Sequence, residues 1–140
     1  MLQYPKNAEI RVAASDWSSK TNTVNVLVAD ESKLTAGTLR VGNGTTNIQI
    51  GDNNKAGTFD VEKIKLEENP QKVKFDFAQT DDFNFTPEMT SASPTTKIVD
   101  FVQREGGTTL FAPRNMSDIS SNVSITNGTL EVGRDPAKLR

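Results

Sequence analysis

Apolar residues recur at every second position along most of the chain, and that period constrains the backbone more than any other feature. Val24, Val26 and Val28 alternate with Asn25 and Leu27, and Leu39 and Val41 straddle Arg40. Ile48 and Ile50 straddle Gln49, Ile64 and Leu66 straddle Lys65, and Val73, Phe75 and Phe77 alternate with Lys74 and Asp76. The same pattern returns at Phe83/Phe85, Val123/Ile125 and Leu130/Val132. A period of two puts successive side chains on opposite faces of an extended strand, giving each strand one wet and one buried face. Many short strands with turn residues between them predict an all-β fold, an antiparallel sandwich or barrel. Its core is expected to contain Val26, Val28, Ile48, Ile64, Phe75, Phe77, Ile125 and Leu130. At 140 residues the chain is the size of one domain.

Turn chemistry suggests how the strands pair. Asn127-Gly128 and Asn43-Gly44 suit the type I′ turn, which needs positive φ at both central residues. The first would pair Ile125 with Leu130 and Val123 with Val132; the second would pair Leu39 with Ile48. A longer loop around Asn69-Pro70 would set Leu66 opposite Val73. Each register keeps the apolar side chains on one face, as a one-residue slip would not.

Two stretches depart from this scheme. Ser93-Pro94 reads as an N-cap and first helical residue. Ile98, Phe101 and Val102 then follow at helical spacing up to Gly106-Gly107, predicting one short helix at about 94–105 packed on a sheet. Val99 lies off that stripe and Thr95-Thr96 are poor helix formers, so a strand is the competing reading. Gln79 to Ser93 reads as a long connection, of the kind usually functional or held by a partner. Thr38–Gly42 resembles Thr129–Gly133, and Thr46–Ile50 resembles Ser121–Ile125. The two pairs occur in opposite order, which favours convergent strand chemistry over a tandem repeat.

The chain has neither Cys nor His, which removes thiol nucleophiles, disulfides, Cys/His zinc sites and His-based triads. Gly51-Asp52-Asn53-Asn54 begins like a calcium loop but has Ala56 and Lys63 where the pattern needs ligands, so it reads as a tight turn. Glu67-Glu68 and Asp81-Asp82 are neighbours in polar loops and read as solvated charge, not as a general acid and base across a cleft. The residues offer no catalytic, cofactor-binding or metal position. Five Asn-x-Ser/Thr sequons begin at Asn43, Asn84, Asn115, Asn122 and Asn127; with no secretory signal they read as unmodified. A net charge of −2 gives no drive toward nucleic acid or anionic membrane. No apolar run approaches the ~20 residues of a membrane-spanning helix.

Hydrophobic residues make up only 34% of the chain, the balance being rich in Thr, Asn and Ser. Such a Cys- and His-free β composition, with the segment Leu39–Gly51, resembles small structural proteins of tailed bacteriophage particles, above all head decoration proteins. That resemblance implies a non-enzymatic cement or decoration subunit, without cofactor, that stabilises a lattice of major capsid protein. Its partners would be that protein, copies of itself, or both, in a virion assembled in the host cytoplasm. A tail-tube protein is a second reading, and a carbohydrate- or receptor-binding fibre module stacking sugars on Trp17 or Tyr4 a third. Adhesion would run through an N-terminal arm, residues 1–8, and a C-terminal arm, residues 134–140. Residues 133–140 carry three cations and one side-chain anion, and Pro136 ends the strand before it.

Overall fold

The computed structural model describes residues 8–12, 23–42, 44–67, 70–91, 97–113, 116–117 and 119–132. These contain thirteen strands and no helix. One five-stranded sheet is built from β1 (Glu9–Val12), β3 (Lys33–Val41), β5 (Thr58–Leu66), β8 (Glu88–Ser91) and β11 (Met116–Ser117). A second holds β2 (Thr23–Val28), β4 (Gly44–Asn54), β6 (Pro70–Gln79), β9 (Lys97–Gln103) and β12 (Ile119–Ile125). The third, of three strands, holds β7 (Asp82–Phe85), β10 (Thr108–Phe111) and β13 (Thr129–Val132).

Every ladder between these strands is parallel. Up to β6 the chain alternates between the first two sheets, with the first halves of β3 and β5 on the third wall. From β6 onward it visits the three sheets in rotation, and each strand lies beside the one that occupied the same wall a coil earlier. Lys63 aligns with Glu88 and Val73 with Val99, one coil apart. The result is a parallel β-solenoid of about four turns. At about 4.8 Å between neighbouring strands, a five-stranded wall is about 20 Å tall.

Alternation becomes a set of columns in this fold. Along the second sheet Val26, Ile48, Phe75, Phe101 and Val123 fall in one register, and Val28, Ile50, Phe77, Gln103 and Ile125 in the next inward one. Leu39, Ile64 and Met89 form the facing column on the first sheet. All seven phenylalanines meet in one network of ring contacts between the walls. Phe75 stacks on Phe101 at 5.4 Å between centroids, and Phe85 on Phe111 at 5.7 Å. Phe85 meets Phe101 edge-on at 5.5 Å. The third wall has one gap: no ladder joins the first half of β5 to β7. Phe59 spans it by stacking on Phe85 at 6.4 Å.

The antiparallel sandwich or barrel expected from the sequence is thus corrected to a parallel solenoid. Alternation reports which side of a strand is buried, not the direction of its neighbour. The choice of antiparallel pairing rested on the Asn-Gly turns. At Gly44 and Gly128 φ is +92° and +75°, as those turns required. Asn127, however, is not among the positive-φ residues, so the type I′ geometry is absent and the chain turns a corner instead of reversing. β12 consequently pairs with β9, and β13 with β10. Ile125, placed in the core by the hairpin reading, is 52% exposed.

The helix over 94–105 is also corrected: residues 97–103 form β9, with Val99 and Phe101 buried and Ile98 outside, 61% exposed. Phe101 suits both periods, and the column of Phe75 decides for the strand. The long connection from Gln79 to Ser93 contains β7 and β8. Of the two terminal arms, residues 1–7 and 134–140 lie outside the described residues, as do Tyr4 and Trp17. Ala8 is described, and its carbonyl accepts the Gly37 amide at 2.9 Å.

Three substitutions test this packing. Phe75→Ala removes a ring at the centre of the network and is expected to cost about 3–5 kcal/mol in chemical denaturation. A Cβ at Gly128 would stand 2.1 Å from the Glu105 carbonyl oxygen. Gly128→Ala should therefore cost more than the ~1 kcal/mol of conformational strain alone, while Gly106→Ala, with open space around it, should be close to neutral.

Candidate functional site

Outward positions of the second sheet form ladders as regular as those inside. Asn25, Asn47, Lys74, Asp100 and Asn122 share one register row. Parallel stacking sets like side chains one strand spacing apart, close enough for amides to bond along the axis. Asn47 Nδ2 donates to Asn25 Oδ1 at 3.1 Å, and Asn122 Nδ2 to Asp100 Oδ1 at 3.3 Å. A half-open cleft of about 180 Å³ runs between this row and the next, lined by Asn25, Leu27, Asn47, Gln49, Lys74 and Asp76. At its edge Arg104 Nε donates to both Asp76 oxygens, at 3.1 and 3.0 Å.

The first sheet carries a charged cluster on its outer face. Glu67 accepts from Arg11 Nε at 2.8 Å and Nη2 at 2.9 Å, and lies 3.1 Å from Arg40 Nη2. Arg40 also reaches Glu9 at 3.3 Å. The hydrogen bond from Arg11 holds the Glu67 carboxyl below the usual carboxylate range; partial burial opposes this, and the charges of Arg11 and Arg40 add to it. Glu67, read from the sequence as solvated charge, is instead the centre of a cross-coil clamp joining β1, β3 and the end of β5. Asp81 likewise has a fixed role, accepting the Ala56 amide at 2.9 Å. The Asp52–Asn54 segment is closed on itself, with Asn54 Oδ1 accepting the Asp52 amide at 2.8 Å. Among the described residues no three His, Cys, Asp or Glu side chains form a group that could hold a metal ion.

The two ends of the stack differ from its sides. At the C-terminal end β12 and β13 are edge strands, so one row of their peptide groups has no ladder partner among the described residues. Three inward residues of this last coil are uncovered, with Val123 42% and Val132 73% exposed beside Ile125, while Leu130 is buried. At the N-terminal end β2 is the edge of its sheet. There a half-open cleft of about 350 Å³ is lined by Val26, Leu27, Val28, Lys33 and Leu34, together with Asn25 and Ser32. Sequence reading missed both the clamp and the ends because partners come from different coils. One signal was present: Thr46–Ile50 and Ser121–Ile125, set aside as convergent, occupy the same register on the second wall.

No protein-family model, curated protein or solved structure matches the chain. The fold itself defines the class, a parallel β-solenoid with polar ladders outside and, among the described residues, apolar groups at its ends.

Glu67 gives this surface a pH signature. Its folded carboxyl titrates below its unfolded value, so the clamp stabilises the fold at neutral pH. That contribution fades as the pH drops below the ordinary glutamate value of about 4.3. Glu67→Gln should cost about 0.5–1 kcal/mol at pH 7, the range of partly exposed ion pairs. The difference from the parent should vanish in acid; a constant difference between pH 7 and pH 2 would refute the clamp.

Proposed function

We propose that the chain is a structural subunit of a larger particle, a virion decoration or cement protein in the form its composition resembles, acting through surface contact. The observation that carries this reading is the continuous packing of the solenoid interior. Columns such as Leu39, Ile64, Met89 and Ile48, Phe75, Phe101 are fully buried and leave the chemistry of the molecule on its walls and ends. A stack of this kind presents fixed rows at strand spacing, which suits a rigid spacer or clamp repeated many times on a shell. Each contact can then be weak, because many copies add their effect. The tail-tube reading leaned on a barrel with a flanking helix after Ser93, and residues 97–103 of that segment form β9. The contact surface is accordingly sought on the walls and ends of the described solenoid.

The test is location. Antibody raised against the purified chain, coupled to gold and applied to particles from the source lysate, should label assembled particles at many regularly spaced points. Label confined to the particle-free soluble fraction would overturn the reading.

A further inference from the structure

We infer that copies of this chain stack head to tail, the C-terminal coil of one seating on the N-terminal coil of the next to continue the solenoid. The inference rests on the reading of the chain as an assembly subunit and names its partner: a second copy of itself.

Three observations converge on that partner. First, the ends match in direction and register. All strands of the second wall run parallel, so the outer edge of β12 can pair with the outer edge of β2 in a second copy as β9 pairs with β12 within one; neither edge is paired with another described strand. Keeping the column order then sets Val123 against Val26 and Ile125 against Val28 of the next copy, on the side of β2 opposite Ile48 and Ile50. Second, the ends match in shape and polarity. Val123, Ile125 and Val132 project uncovered from one end, while the other carries an apolar cleft of about 350 Å³ walled by Val26, Val28 and Leu34. Solenoids that remain single close their ends with polar capping coils, and exposed strand edges left bare recruit further strands. The last coil, over 119–132, instead turns Val123, Ile125, Leu130 and Val132 inward, with Ser121 as a polar neighbour in the same face, and carries a single charged residue, Glu131.

Third, that charge has a counterpart. Glu131 lies on the third wall at the C-terminal end. Lys33 stands at the N-terminal cleft, on the same wall: β3 pairs its first half with that of β5, whose Phe59 stacks on Phe85 of β7. Stacking brings the two opposite charges toward one another. It also sets Asn122 above Asn25, continuing the amide ladder already formed by Asn25 with Asn47. A head-to-tail contact of this kind is heterologous and does not close on itself, so it yields open filaments and not dimers.

Sedimentation velocity of the full chain, from micromolar to near-millimolar concentration, tests the inference. The mean sedimentation coefficient should rise with concentration without levelling at a dimer. Val123→Lys and Ile125→Lys should each weaken association by at least about tenfold, since a cation would be buried without a partner. Their melting temperatures should stay at the parent value, because both side chains are exposed in a single copy. Glu131→Lys alone and Lys33→Glu alone should weaken it too, and the chain carrying both changes should recover it. A chain that stays monomeric throughout, or lysine variants that associate as well as the parent, would overturn the inference. So would a monomer that associates only after removal of residues 133–140, which would assign the rung to the chain's own C-terminal segment. If a monomeric chain still labels particles in the gold experiment, stacking fails and the subunit reading stands. If filaments form but particles carry no label, stacking stands without a role on particles.

Discussion

Seven phenylalanine rings packed between three parallel walls are the contact on which the rest of this structure depends. A solenoid of short coils has a narrow interior, and each coil must fill it at the same height as the coil beneath. Phe75, Phe77, Phe85 and Phe101 do so with no exposure at all. Their offset-stacked and edge-on contacts each contribute roughly 0.5–1.5 kcal/mol beyond the area they bury. Because these rings come from β5, β6, β7, β9 and β10, they fix the vertical order of the coils as well as their width. Once that order is set, the outer rows of Asn, Lys and Asp follow from register alone.

The corners make the coil possible. Gln79 and Gln103 sit buried where the second wall meets the third, and their amides bond to neighbouring turns. Gln79 Nε2 donates to Thr109 Oγ1 at 2.8 Å, and Gln103 Nε2 donates to the Glu105 and Gly107 carbonyls at 3.1 and 3.3 Å. A side-chain amide can donate to corner carbonyls, adding a bond at Gly107 to the one its carbonyl accepts from the Thr129 amide at 3.0 Å, which is why a polar residue occupies the column of Ile50 and Phe77. Gly128 and Gly107 then permit backbone approaches that any side chain would block.

Strand positions and wet and dry faces were legible in the sequence because alternation encodes both directly. Ile48, Ile64, Phe75 and Phe77 are buried as that pattern required. Direction was not legible. Val73–Phe77 would show the same alternation beside an antiparallel neighbour, and Asn127-Gly128 satisfies a corner as readily as a hairpin. Ile98, Phe101 and Val102 fitted a helical stripe because Phe101 belongs to both periods. The clamp of Arg11, Arg40 and Glu67 could not be read at all, since Arg11 and Glu67 are 56 residues apart and meet only after the coils close. The uncovered Val123 and Ile125 were hidden for a related reason: an inward-facing position is buried only if another coil lies above it.

The gap in the third wall has a mechanical consequence. Between most coils three ladders cross from one level to the next, but at the level of Phe59 and Phe85 only the first and second walls are bonded through. Hydrogen bonds between parallel strands run along the axis of the stack, so tension on the ends loads them in line. Under such tension the solenoid should part first at this level, with Phe59 drawn off Phe85. The three coils above would stay together as one block.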